Sequence, residues 1–168
     1  MNARFRLLVL LLALAALGAC GRIHSRVVVA PEKLGVIEQV ALLPAEVSSR
    51  EQTNEALALN AEWQTLAQQE LEAAIGSRGI KIARRDAKNR VVARIEVIYG
   101  NRALRYFVGF GAGSGHLAVT VELRDARGKV RYATSAEADL AGGLWGGDMS
   151  EVVRTTVRAA AEDFATRL

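Results

Sequence analysis

One cysteine stands in a chain of 168 residues, and its surroundings give it a chemistry. Cys20 follows Leu17-Gly18-Ala19. Its thiol is a strong nucleophile near neutral pH and can form a stable thioether with a lipid donor. Small side chains at Gly18 and Ala19 let a peptidase come close to the backbone beside it. A lone cysteine cannot build a disulfide within the chain. The other groups capable of chemistry are Ser114, His116, Asp125, Glu137 and Asp139. Glu137 and Asp139, at i and i+2, would project from one strand face with carboxyls about 5.5–7 Å apart, a spacing that glycosidases use. Any solvated strand face gives the same alternation. Ser114 lacks the flanking glycines of a nucleophile elbow, having Ala112 and His116 two positions to either side. No catalytic residue is assigned, and the chain is expected not to be an enzyme. His24 and His116 are its two histidines, too few for a His-rich metal centre, so neither a metal nor a cofactor is expected.

The segment before Cys20 places that thiol. Arg4 and Arg6 precede the unbroken apolar run Leu7–Leu17. That run is too short for a bilayer-spanning helix, which needs about 20 apolar residues, and has the length of a signal-peptide core. Leu17-Gly18-Ala19-Cys20 resembles the bacterial lipoprotein signal, the lipobox. The resemblance implies a diacylglycerol on the Cys20 thiol, cleavage after Ala19 and acylation of the new amino terminus with a fatty acid such as palmitate. One acyl chain anchors weakly; two or more anchor firmly. Gly21 stands where an aspartate commonly keeps enteric lipoproteins in the inner membrane, so the outer membrane is expected, with the domain facing the periplasm. The expected organisation is a signal peptide over 1–19, a lipidated cysteine and tether over 20–37, and a single domain over 38–168. Val27 to Val29 could instead form a short edge strand, which would shorten the tether.

Loss of residues 1–19 removes Arg4 and Arg6 and no acidic side chain, so the sequence pI of 9.6 overstates the mature charge. One stretch is enriched in basic residues, from Arg78 to Arg105. Within it Arg84, Arg85, Lys88 and Arg90 are candidates for an anionic surface, either lipid head groups or a cell-wall polymer. An export signal argues against nucleic acid as a partner.

The elements follow from hydrophobic period. Gln39–Val47 reads as a buried strand bounded by Pro44 and Ser48-Ser49. A helix is predicted from about Asn54 to Ser77, with Leu59, Trp63, Leu66, Ala67, Leu71, Ala74 and Ile75 on its buried side. Trp63 reads as a core anchor. Four strands are then predicted: Ile80–Ile82, Val91–Tyr99, the alternating Leu117–Arg124, and Val130–Asp139. Gly128 turns the chain between the last two. Thr134, Ala136 and Ala138 are small enough to admit a helix backbone. A final helix begins at Asp148-Met149-Ser150-Glu151, a capping-box pattern, and carries Met149, Val153, Thr156, Val157, Ala160, Phe164 and Leu168 as one stripe. The order β-α-β-β-β-β-α predicts an α+β fold. It has a mostly antiparallel sheet of about five strands, two helices on one face, and its first two strands parallel through a helical crossover.

Two glycine clusters interrupt this pattern, Gly109-Phe110-Gly111-Ala112-Gly113-Ser114-Gly115 and Gly142-Gly143-Leu144-Trp145-Gly146-Gly147. Neither has the spacing and context of a phosphate loop. Strands 91–99 and 130–139 run the same way in a meander, so both clusters leave one end of the sheet. With them go Tyr106, Phe107, Phe110, Leu144 and Trp145, the candidate residues for binding a partner. The competing reading folds these side chains inward as a plug. Arg105-Tyr106-Phe107-Val108-Gly109-Phe110-Gly111-Ala112-Gly113, an alternating strand, and then Asp125-Ala126-Arg127-Gly128-Lys129-Val130 resemble the bacterial lipoprotein family called domain of unknown function 4410, over about residues 35–168. The resemblance implies a small envelope domain and supplies no catalytic residues. The functional expectation is a non-catalytic adaptor or accessory subunit of a cell-envelope assembly, anchored to the membrane through Cys20. The alternative is a module that binds anionic lipid or cell-wall polymer.

Overall fold

Strict alternation in the middle of the chain builds one sheet around one core. A computed structural model describes residues 23–30, 34–49, 54–83, 87–98, 115–140 and 149–168. Strands β5 (Arg90–Ile98), β6 (Gly115–Arg124) and β7 (Val130–Leu140) form an antiparallel meander. Val91, Ala93, Ile95 and Val97 of β5, the odd residues Leu117 to Leu123 of β6, and Tyr132 and Ala136 of β7 share the buried face. Two helices cover that face. Helix α1 (Asn54–Gly76) contributes Trp63, Leu66, Ala67, Leu71 and Ile75, and α2 (Met149–Thr166) contributes Val153, Val157, Ala160 and Phe164. Trp63 is fully buried, as its place on the stripe predicts.

The helices run parallel. Arg158 of α2 grips Glu70 of α1 through two hydrogen bonds of 3.0 Å, and Arg78, just past α1, donates to Thr166 of α2 at 2.8 Å. The carboxylate partner raises the Arg158 pKa further above its ordinary value. The small residues of β7 bring α2 close. Buried Thr134 donates its hydroxyl to the Ala160 carbonyl at 3.3 Å, and the Tyr132 and Phe164 rings stack with centroids 5.2 Å apart.

The sheet has seven strands rather than about five, in the order β1-β7-β6-β5-β2-β4, with β3 also paired to β5. One extra strand comes from splitting the strand predicted over 39–47 into β2 (Gln39–Leu42) and β3 (Glu46–Ser49), both parallel to β5. Leu42 lies opposite Val91 and Glu46 opposite Arg94, so Leu43-Pro44-Ala45 faces only Val92-Ala93. The extra residue is accommodated at Pro44, which has no N–H to donate to a ladder. The predicted crossover is present: β2 and β4 (Lys81–Ala83) are parallel, with α1 between them in sequence.

The other extra strand corrects the tether. Within the span expected to be tether, β1 (Ile23–Val29) pairs antiparallel with β7, Ile23 opposite Ala138 and Val27 opposite Thr134. The edge-strand alternative therefore holds, and over a longer span than Val27–Val29. The rest of the chain leaves β7 unpaired on one side, and the β-branched run Val27-Val28-Val29 fills that place. As an inner strand, β7 buries both faces over Tyr132–Ala136, so Ala133 and Ser135 are buried along with Tyr132, Thr134 and Ala136.

Candidate functional site

The face of the sheet away from the helices is polar, and register lines its side chains into rows. One row reads Glu46, Arg94, Thr120, Ser135 and Arg26 across β3, β5, β6, β7 and β1. The next reads Ser48, Glu96, Ala118, Glu137 and His24. At one end of this face lies a network of two acids and two bases. Glu122 receives Arg124 at 2.7 and 2.8 Å and Arg94 at 3.3 Å, and Arg94 also reaches Glu46 at 2.8 Å. Arg124 completes the ring at 3.7 Å from Glu46. The Glu122 side chain is only 9% exposed, and these two arginines replace the water it has lost. Beside the network lies a shallow depression of about 460 Å³, with Ser48, Glu96, Ala118 and Thr120 in its lining.

Of the groups capable of hydrolytic chemistry, His116 stands beside Glu137 and opposite Asp139 in the strand register, Asp125 lies apart from them, and Ser114 lies outside the described residues. His116 lies 3.9 Å from Glu137, whose carboxylate is also held by Arg26 at 2.6 Å. Asp125 lies at the far end of β6, where its Oδ1 accepts the backbone N–H groups of Arg127 and Lys129 at 2.8 and 2.9 Å. That carboxylate shapes the hairpin turn, in which Gly128 takes φ +82. A strand of this length places Asp125 about 30 Å from His116. Among the described residues, no three of His, Cys, Asp and Glu are grouped to hold a metal ion.

The basic stretch divides between layers. Arg78 binds the end of α2, and Arg94 belongs to the open-face network. Lys88 is exposed just before β5, and Arg90 lies opposite Arg124 at the hairpin end of the sheet. Arg84 and Arg85 lie outside the described residues, as do Ala19, Cys20, Tyr106, Phe107, Phe110, Leu144 and Trp145. The topology still fixes where the aromatic segments leave. β5 and β7 both run antiparallel to β6, so segments 99–114 and 141–148 join the sheet at the Ile98, Gly115 and Leu140 end. The start of β1, at Ile23, lies at the same end. The Glu46–Arg94–Glu122–Arg124 network escaped sequence reasoning. Alternation puts Arg94 with Glu96 and Glu122 with Arg124, but the parallel β3–β5 register that adds Glu46 leaves no local signal.

An α+β domain with one sheet face covered by parallel helices and the other lined mostly by polar side chains is what the fold defines. The model of the family called Domain of unknown function (DUF4410) matches residues 31–141, and the chain belongs to that family. No curated protein matches the chain in sequence. Two solved structures of a PelC dodecamer from Paraburkholderia phytofirmans share the fold. One is 17% identical, covering 88% of this chain and 99% of that one at a TM-score of 0.51. The other is 16% identical, covering 84% and 95% at 0.50. A minor lipoprotein from Acinetobacter baumannii is more distant, 16% identical over 79% of this chain and 87% of its own, with a TM-score of 0.34. Among the described residues, no helix is long and apolar enough to cross a membrane.

Proposed function

We propose that the chain is a non-catalytic lipoprotein of the outer membrane, acylated on Cys20 after removal of residues 1–19. Its domain faces the periplasm and serves as an adaptor or accessory subunit of an envelope assembly. The observation that carries this reading is the position of the glycine-aromatic segments. Both leave the sheet at the end where β1 begins, three residues after Cys20. Docking is assigned to that end, through Tyr106, Phe107, Phe110, Leu144 and Trp145, because bulky apolar side chains on glycine-rich segments suit a contact surface. In PelC the same fold assembles as a dodecamer, which supports a domain whose work is assembly.

The test is cross-linking of the natively lipidated protein in cells, beside Trp145→Ala. A discrete protein partner that is lost in the variant is the expected result. Recovery of the same partner from the variant would refute docking through this end.

The alternative, an anionic-surface module, draws on exposed Lys88. It requires binding to anionic vesicles that weakens with salt. Against it stands the dispersal of the basic stretch, with Arg78 and Arg94 already committed to other partners.

A further inference from the structure

The sequence alone allows a long tether, and seventeen extended residues would span about 56–61 Å. The structure shortens it. β1 starts at Ile23, with Ile23 registered against Ala138 near the end of β7. The stretch from Cys20 to Ile23 reaches at most about 10–11 Å. We infer that the Ile23–Ala138 end of the sheet is the membrane-facing end of the domain, held against the lipid head groups by this short leash; this rests on the proposed acylation of Cys20.

Three observations bear on it. The leash enters a strand that is hydrogen-bonded to β7 along its length, so the anchor cannot lengthen without breaking β1 away. Ile23, at the anchored end itself, is exposed and adds apolar surface there. The opposite end carries exposed Lys88, Arg127 and Lys129 around the β6–β7 hairpin. A ten-residue strand such as β6 sets the two ends about 30 Å apart. The basic end is therefore turned away from the bilayer that anchors the chain. A protein partner docking at the anchored end must present its own site in the head-group layer.

Single thiols for a fluorescent label are introduced by His24→Cys and Arg127→Cys in the full-length acylated protein, whose Cys20 thiol is blocked by lipid. Each variant is reconstituted into vesicles of phosphatidylethanolamine and phosphatidylglycerol with a nitroxide-bearing head group, a short-range quencher. The expected result is loss of most emission at position 24 and none at position 127. Inserting about 12 Gly/Ser residues after Gly21, which adds roughly 40 Å of reach, should restore emission at 24. Equal quenching at both positions, or stronger quenching at 127, overturns the inference. Mass spectrometry of the N-terminal peptide separates the two failures. Unmodified Cys20 defeats the lipoprotein reading and the orientation together, whereas acylated Cys20 with an unquenched position 24 defeats the orientation alone.

Discussion

At the scale of single residues, two side chains carry costs that mutation can expose. Tyr132 is buried without a hydrogen-bond partner for its hydroxyl among the described residues, while its ring stacks on Phe164. Burial pushes its pKa up to about 12, with Asp163 adding to the rise and Arg167 opposing it. An unfolded tyrosine ionises near pH 10, so between about pH 10 and 12 the unfolded chain loses this proton first. Its contribution to stability is whole below pH 10 and declines as pH climbs through that window. Tyr132→Phe should keep the stack and drop the orphan hydroxyl. Its stability at pH 7 is expected to be unchanged or higher by about 1 kcal/mol, with a shallower alkaline loss, both read from denaturant melts. Glu122 is the opposite case. Glu122→Gln leaves Arg94 and Arg124 with only the more exposed Glu46 of the network to share, and should cost about 1–3 kcal/mol in the same melts. Glu96→Gln, on an exposed side chain of the same face, should stay within about 0.5 kcal/mol.

Among the elements, β7 and α2 show how composition sets geometry. Ala136 and Thr134 are small, which is what lets the Thr134 hydroxyl reach the Ala160 carbonyl. Ala136→Leu should force α2 away from the sheet and cost about 1–3 kcal/mol, with loss of near-ultraviolet signal from the Tyr132–Phe164 stack. Both helices, the meander and the face each buries were legible, because helical and alternating periods are written in neighbouring residues. The stripe from Trp63 to Ile75 and that from Val153 to Phe164 are buried as their spacing requires. The division of Gln39–Val47 at Pro44 was half legible: proline marks a break, but not that both halves stay on β5. β1 was the least legible element, since its residues are mostly exposed and its partner lies more than a hundred positions away. The same distance in sequence hid the contacts of the open face. Arg26 meets Glu137, and Glu46 meets Arg94, through pairings that no local pattern announces.

For the whole molecule, β1 shields one side of β7 from solvent and from other chains. A soluble form that begins at Ala30 should melt at lower temperature than one that begins at Gly21, and self-associate through the bared β7 edge, as followed by light scattering. Retained stability and a monomeric state would show that β1 is dispensable. The pairing of β1 with β7 also has a consequence in time. The chain emerges from its N-terminus, yet β1 has no partner until β7 has been delivered. The hairpin β6–β7 needs only the short Asp125–Lys129 turn, whereas joining β1 to it closes a loop of about a hundred residues, an entropic cost met late. The first strand out is thus the last to be zipped into the sheet. Pulse-labelled hydrogen exchange during refolding should find the amides of Ile23–Val29 protected after those of β5, β6 and β7. With the proposed acylation of Cys20, just before β1, the final folding step is then the one that draws the finished domain onto its anchor.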